Sequence, residues 1–387
     1  MPPPTPPSFF STPVRVSIGP VTPGEIYKFA VPPNALAFNV VVTGGAFSTD
    51  VGVRQLVSPT GNTVTGEHIP SGGNHAVTVG TNGTAAAECP QTDATGVIPI
   101  ESGTWSAVFS GPENAKLVAS VVIQVTDDGK FHGGLLDLHV YVPDNLEVKG
   151  TPINALQAPD NPDVEARMKA FFDRTALHAA VYRGKIAYHR TPAAYRTIDD
   201  PTELVNSFKQ TLVVPDGTQA LHVILAERIV YSLGKEAWGI ASGIPGAATR
   251  SGTVASGVAI VFLGDTPEED AAVLEHEAGH FFGLSHTTEF MDGLHDPLTD
   301  TPVCDDMGDP KSCPDNVDVM FPMLLQPPEL TQFTLSLSTI FATNPAVRAY
   351  RDGKHGNSPK SSKVPVPHPP SERVRSFRCV SGIIGRL

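Results

Sequence analysis

The sequence predicts a multidomain chain: an all-β sandwich followed by an α+β domain in which a mixed sheet lies over a helix carrying metal ligands. Three observations lead there. Short apolar runs recur between residues 11 and 126, punctuated by Gly, Pro, Asn and Thr. Beyond them, strand-like runs alternate with helical apolar periodicity. The third is the stretch His276-Glu-Ala-Gly-His-Phe-Phe-Gly-Leu-Ser-His286, which reads H-E-x-x-H-x-x-G-x-x-H. A length of 387 residues gives room for two or three domains.

Residues 1–10 form a proline-rich lead-in that favours extended backbone. In the predicted sandwich, residues 11–128, strands are expected at 14–18, 26–31, 37–42, 51–57, 97–100, 104–109 and 117–125. Trp105 reads as a core residue of this sandwich rather than a binding aromatic.

The second domain is expected over residues 129–350, opening with a strand at 135–142. Asn161-Pro-Asp-Val-Glu165 then caps a helix whose Val164, Met168, Phe171, Phe172 and Thr175 share one face. Runs at 185–189, 220–226 and 258–263 supply further strands. Thr266-Pro-Glu-Glu269 offers an N-cap, a proline at the first helical position and a capping-box glutamate, so a helix follows over 267–282.

On that helix His276 and His280 stand four residues apart, so their imidazoles leave one face a turn apart and can grip one metal ion. Glu277 can take a proton from a water that the metal activates. Gly283 tolerates the left-handed backbone that ends a helix, and the turn brings His286 back as third ligand. Three protein ligands with one open position make a catalytic zinc, whereas a structural zinc is closed by a fourth. Two competing readings are satisfied core histidines and a zinc site that has lost catalysis; the presence of Glu277 speaks against the second. Glu289 in place of His286 is another ligand scheme, disfavoured by Gly283.

With this extended motif the chain resembles the metzincin clan of zinc endopeptidases over roughly residues 135–348. The resemblance implies one catalytic Zn²⁺ on His276, His280 and His286, with Glu277 as the catalytic residue. It also implies a methionine turn beneath the ligands. Asn316-Val-Asp-Val-Met-Phe-Pro322 places Met320 there, with Met323 as second candidate. Asp300-Thr-Pro302 and the pair Cys304 and Cys313 look like the pappalysin branch, and His286-Thr-Thr-Glu289 is similar to bacterial secreted metalloproteases. By the same likeness, Val258, Ala259, Ile260 and Val261 form the edge strand that pairs with an extended peptide substrate. Members with a tyrosine ligand carry it two residues past the turn methionine. Pro322 stands there, so no tyrosine ligand is expected, and the turn reads Val-Met-Phe-Pro where pappalysins favour Val-Met-Asp-Tyr.

The exported setting implied by the likeness suits a Cys304–Cys313 disulfide. Pro23-Gly-Glu-Ile-Tyr-Lys-Phe29, Leu56-Val-Ser-Pro-Thr-Gly61 and Gly103-Thr-Trp105 resemble the small jelly-roll-like domains that flank bacterial extracellular peptidases. The expected activity is cleavage of protein or peptide substrates. The alternatives are a non-enzymatic extracellular binding or adhesion protein with a structural zinc, and a zinc hydrolase of a non-protein substrate. No ligand is assigned to the N-terminal domain.

Forty acidic against 27 basic side chains give a net charge of −13, which repels phosphate backbones and argues against nucleic acid as partner. No apolar run is long enough for a transmembrane helix. The first residues lack a basic region and a long apolar core and so are no secretory signal; the chain is either intracellular or numbered after a removed signal, and the likeness to secreted proteases implies the second, an extracellular setting. Asp292, Asp296, Asp300, Asp305, Asp306, Asp309, Asp315 and Asp318 make an oxygen-rich segment, a candidate for structural Ca²⁺ against solvated loop charges. His139, His189 and His222 lie in apolar strand patterns and read as core or surface histidines, and His295 as a loop residue. Cys89 and Cys379 are left unpaired. Residues 351–387 read as a disordered basic tail.

Overall fold

The alternating apolar segments of the first 126 residues build two four-stranded antiparallel sheets in a computed structural model of the chain. The structure describes residues 9–44, 50–65, 83–92, 97–232, 235–262, 266–289, 295–353 and 377–378. In chain order the N-terminal strands are β1 (Val14–Val21), β2 (Ile26–Val31), β3 (Ala35–Gly44), β4 (Gly52–Val57), β5 (Thr63–Thr65), β6 (Thr84–Pro90), β7 (Gly103–Ser110) and β8 (Leu117–Val125). One sheet has the order β1-β8-β3-β6 and the other β2-β7-β4-β5. Alternate residues of both sheets share one core. Phe38 of β3 meets Phe29 of β2 and Trp105 of β7 edge-on, at centroid distances of 5.3 and 4.9 Å.

β3 and β6 are buried along nearly their whole length because their second face is covered too. Val41 and Ala86 on that face pack against Ala247 and Ala255 of the following region.

That region contains β9 (Gly134–Pro143), the hairpin β10 (Leu146–Val148) and β11 (Thr151–Ile153), α1 (Pro162–Ala179), β12 (Val181–Thr191), β13 (Thr197–Ile198), α2 (Pro201–Lys209), β14 (Leu221–Ala226), β15 (Arg228–Ser232), β16 (Lys235–Ala237), β17 (Gly239–Ala241), β18 (Val258–Val261), α3 (Pro267–Phe281), β19 (Met323–Leu324), α4 (Leu335–Thr343) and β20 (Arg348–Ala349). The main sheet runs β12-β9-β14-β18-β17, with β20 against the start of β9. Its first four strands are parallel and β17 is antiparallel. Leu136, Leu138, Val140 and Val142 of β9 share the core with α1, α3 and α4. Tyr141 belongs to the separate core on the opposite face with Leu204 and Phe208 of α2.

Asn161 caps α1 through the amides of Asp163 and Val164, and Thr266 and Glu269 form the capping box of α3. Buried ion pairs tie the two helices together. Arg167 pairs with Asp270, and Glu275 accepts from Arg174 at 2.7 Å and His178 at 2.8 Å.

Several expectations are corrected. Residues 97–100 form no strand, and β6 was not expected because Thr84-Ala-Ala-Ala carries little strand propensity. More important for function, Val258, Ala259, Ile260 and Val261 are not an edge. They lie between β14 and β17 and are buried on both faces, as a continuous apolar run in a parallel sheet should be. The strand that ends the sheet on this side is β17, short and built from the buried Gly239, Ile240 and Ala241, with β12 at the other end. Residues 1–8, Leu263, Asp292, Cys379 and most of the tail lie outside the described residues.

Candidate metal centre

His276 and His280 project from adjacent turns of α3, and their rings meet edge-on at 4.6 Å. After Phe282 the chain reverses at Gly283, whose φ of +98° is the left-handed geometry favoured by glycine. The amides of Gly283 and Leu284 donate to the carbonyls of His280 and Gly279, both at 2.9 Å, closing the helix end. His286 thereby returns to the triad, with its Nε2 3.1 Å from that of His280. One ligand atom from each of the three histidines lies within 4.8 Å of the others.

The orientation of each ring is fixed from behind. Nδ1 of His276 is 2.7 Å from the Val319 carbonyl, Nδ1 of His280 is 2.7 Å from the Leu284 carbonyl, and Nδ1 of His286 is 3.0 Å from Glu289 Oε2. These acceptors require a proton on each Nδ1, so every Nε2 offers its lone pair to the shared centre. Burial, reinforced by the His286 charge, pushes His276 down to about 3. Burial and the charges of His276 and His286 push His280 well below its ordinary value. Neutral imidazoles are what a metal needs. Glu289, considered above as a rival ligand, stands behind His286 instead. Burial alone would raise its carboxyl, but the His286 charge and hydrogen bond outweigh it and bring it below the ordinary value.

The donor set suits a divalent ion such as zinc. His276 Nε2 and both carboxylate oxygens of Glu277 are buried without a hydrogen-bond partner in the protein, an arrangement that costs stability unless something else occupies the centre. Burial also pushes the Glu277 carboxyl well up, offset only in part by the Ala241 backbone. β17 passes directly over Glu277, since a Cβ at Gly239 would come within 2.5 Å of Glu277 Cγ. A side chain at position 239 would therefore displace the carboxylate.

Met320 is fully buried, and its sulfur would lie 2.5 Å from a Cβ at Gly279, so it sits against α3 between the turns bearing the first two histidines. Its carbonyl accepts from the Thr287 amide at 3.1 Å, joining the turn to the residue after His286. Met323 is only half-buried. Beside His276 a shallow recess with room for little more than a water molecule is lined by Ala272, Val273, Val319 and Phe321, with Arg174, Asn316 and Asp318 on its polar side.

Cys304 and Cys313 are joined by a disulfide. The aspartates between the triad and Met320 act mainly as loop braces. Asp315 accepts from the hydroxyls of Thr287 and Thr288, both at 2.7 Å. Asp296 accepts from Thr301 at 2.6 Å, and Asp300 from the Ser336 amide at 2.9 Å. Among the described residues these carboxylates do not converge on one point, so the expected Ca²⁺ has no support there. No local spacing in the sequence links Asp315 to the Thr287–Thr288 pair. The two threonines following the third histidine, with an aspartate at the start of the turn, were the available signal.

No protein-family model matches the chain, and no curated protein matches it. Among solved structures it is similar to archaemetzincin from Methanopyrus kandleri, with 16% identity over 55% of this chain and 88% of that one, at a TM-score of 0.29. It is also similar to metalloproteinase-II from Bacteroides fragilis, with 12% identity over 58% of this chain and 62% of that one, at a TM-score of 0.32. At such scores neither likeness carries the functional reading, which rests on the site. No described helix is long and apolar enough to cross a membrane.

Proposed function

We propose that the chain is a zinc-dependent endopeptidase, with His276, His280 and His286 holding the ion and Glu277 moving the proton. The observation that carries this reading is the convergence of three back-bonded imidazoles beside a buried carboxylate with no protein partner. Zinc bound by three histidines acts as a Lewis acid and makes water nucleophilic at neutral pH. Glu277 then has two tasks: accepting the proton of the attacking water and delivering it to the departing amine. Its place next to His276 on α3 suits both.

β17, rather than β18, ends the sheet beside α3 and would be the strand to align an extended peptide by main-chain pairing. In this reading Met320 is the floor of the site and residues 11–128 are a β-sandwich accessory domain to a peptidase domain at 129–350. The chain acts outside the cell, where the Cys304–Cys313 bond is stable.

The test is hydrolysis of a quenched-fluorescence peptide library by the zinc-loaded chain, beside Glu277→Gln and a chelated control. Zinc-dependent cleavage lost in the variant is expected. A folded, zinc-loaded wild type that cleaves no peptide in the library would sink the endopeptidase reading and favour a bracing zinc.

A further inference from the structure

The covered face of the N-terminal unit carries two buried polar side chains, Asn39 on β3 and Glu88 on β6, directly opposite each other in the strand register. An interface built from Val41, Ala86, Ala247 and Ala255 has no need of either, and burying a carboxyl is costly. Both are aimed at the end of the helix that bears the first two histidines. Asn39 Nδ2 donates to the Gly246 carbonyl at 3.2 Å, and the Gly246 amide donates to the carbonyl of Phe281, the last residue of α3, at 2.9 Å. Glu88 Oε2 accepts from Asn344 Nδ2 at 2.7 Å and stands 3.5 Å from where a Cβ on Gly283 would project. The two side chains therefore brace the last helical turn and the reversal that returns His286 to the triad.

We propose that Glu88 is a positioning residue of the metal site, supplied by the N-terminal unit, which with Asn39 and Asn344 holds the Gly283 turn where His286 meets His276 and His280. This rests on the reading of the three histidines as a metal site. It gives the N-terminal unit a role in completing that site.

The chemistry of the brace favours an uncharged acid. A helix C-terminus carries partial negative charge, which repels a carboxylate. Burial pushes the Glu88 carboxyl well above the ordinary range, against the opposing influence of the Asn344 hydrogen bond and the neighbouring Asn39 amide. Glu88 Oε1 and Asn39 Oδ1 are both buried acceptors lacking a partner, and a proton on the acid would let it donate. Glutamine has the shape and donor capacity of that neutral form, so Glu88→Gln should preserve the brace while Glu88→Ala removes it.

The experiment measures zinc affinity by chelator competition on the 387-residue chain and its Glu88→Gln, Glu88→Ala and Asn39→Ala variants, with cobalt spectra of each to read ligand geometry. Thermal melting of the metal-free proteins runs alongside. The expected pattern is wild-type affinity in Glu88→Gln and about tenfold weaker zinc with a changed cobalt spectrum in Glu88→Ala. Asn39→Ala should fall between them and serves as the decisive variant if Glu88→Ala does not fold. A lower melting temperature with zinc affinity and cobalt spectrum unchanged would overturn the proposal, leaving Glu88 a structural residue only. A wild type that binds no zinc at all would overturn the metal-site reading itself, and the brace with it.

Discussion

Two sets of three histidines lie in the same region of this molecule and behave oppositely. In the triad at the end of α3, each Nδ1 is engaged from behind and the Nε2 atoms turn inward to a common centre. On the main sheet, His139, His189 and His222 come from neighbouring strands and use their nitrogens on one another and on Tyr141. His139 Nδ1 is 2.7 Å from His189 Nε2, and the Tyr141 hydroxyl is 3.0 Å from His222 Nδ1. Their rings stack, with His139 5.0 Å from His189 and 5.5 Å from His222. Burial lowers the basicity of His276 and His280 in the triad and of all three sheet histidines, so low basicity does not distinguish the sets. What differs is whether lone pairs are left over and whether they converge.

The largest effect should come from removing one member of each set. His280→Ala is expected to weaken zinc binding by about a hundredfold or more, since a three-ligand site loses a third of its donors. His139→Ala should leave zinc affinity unchanged. Metal titration of both variants checks this, and equal loss from the two would break the distinction between the sets.

The next effect tests the support behind a ring. Glu289→Gln removes the charged acceptor on His286 Nδ1 and should weaken zinc by about ten- to a hundredfold without changing stoichiometry. Were Glu289 a ligand instead, the cobalt spectrum would change with the loss of an oxygen donor, and His286→Ala would be the milder variant. Gly283→Ala acts more weakly and through the backbone. Its φ of +98° should cost about 1–2 kcal/mol in a denaturant titration, with zinc binding reduced in step.

The same contrast shows how much was legible in the sequence. The triad is a local pattern: i, i+4 on a helix and a glycine at the turn are visible in eleven residues, as is the capping box that starts the helix. Strand periodicity likewise located β1 to β4, β7 and β8. The position of β17 was not visible, because Gly239-Ile-Ala241 has too few residues for any period and its place at the edge is set by pairing with β18. Sequence order puts β18 directly before α3, as an edge strand would be, but burial on both faces belongs to a central strand. The hydrogen bond of Glu88 with Asn344 and its approach to the Gly283 turn join residues some 200 to 250 positions apart, and no local pattern announces them.

The last prediction separates the sets by pH. Burial first, then the charges of His139 and His189, hold His222 down at about 3, while an unfolded histidine titrates near 6.5. Below that value the unfolded chain binds more protons than the folded one, so the contribution of His222 to stability is complete above about 6.5 and is lost as pH falls toward 3. Asp296 and Asp318 slope the other way. Burial raises them to about 7 and about 8, so their contribution is present at low pH and lost as pH rises through those values. Metal-free chain carrying His280→Ala, denatured at fixed pH with and without His222→Gln, isolates the sheet histidine. Glutamine keeps an acceptor for the Tyr141 hydroxyl but does not titrate, so the acid limb between pH 6.5 and 4 should flatten by at most about 1.4 kcal/mol per pH unit. An unchanged acid limb would mean that His222 is protonated alike in both states, and that its stacked, hydrogen-bonded setting does not keep it neutral.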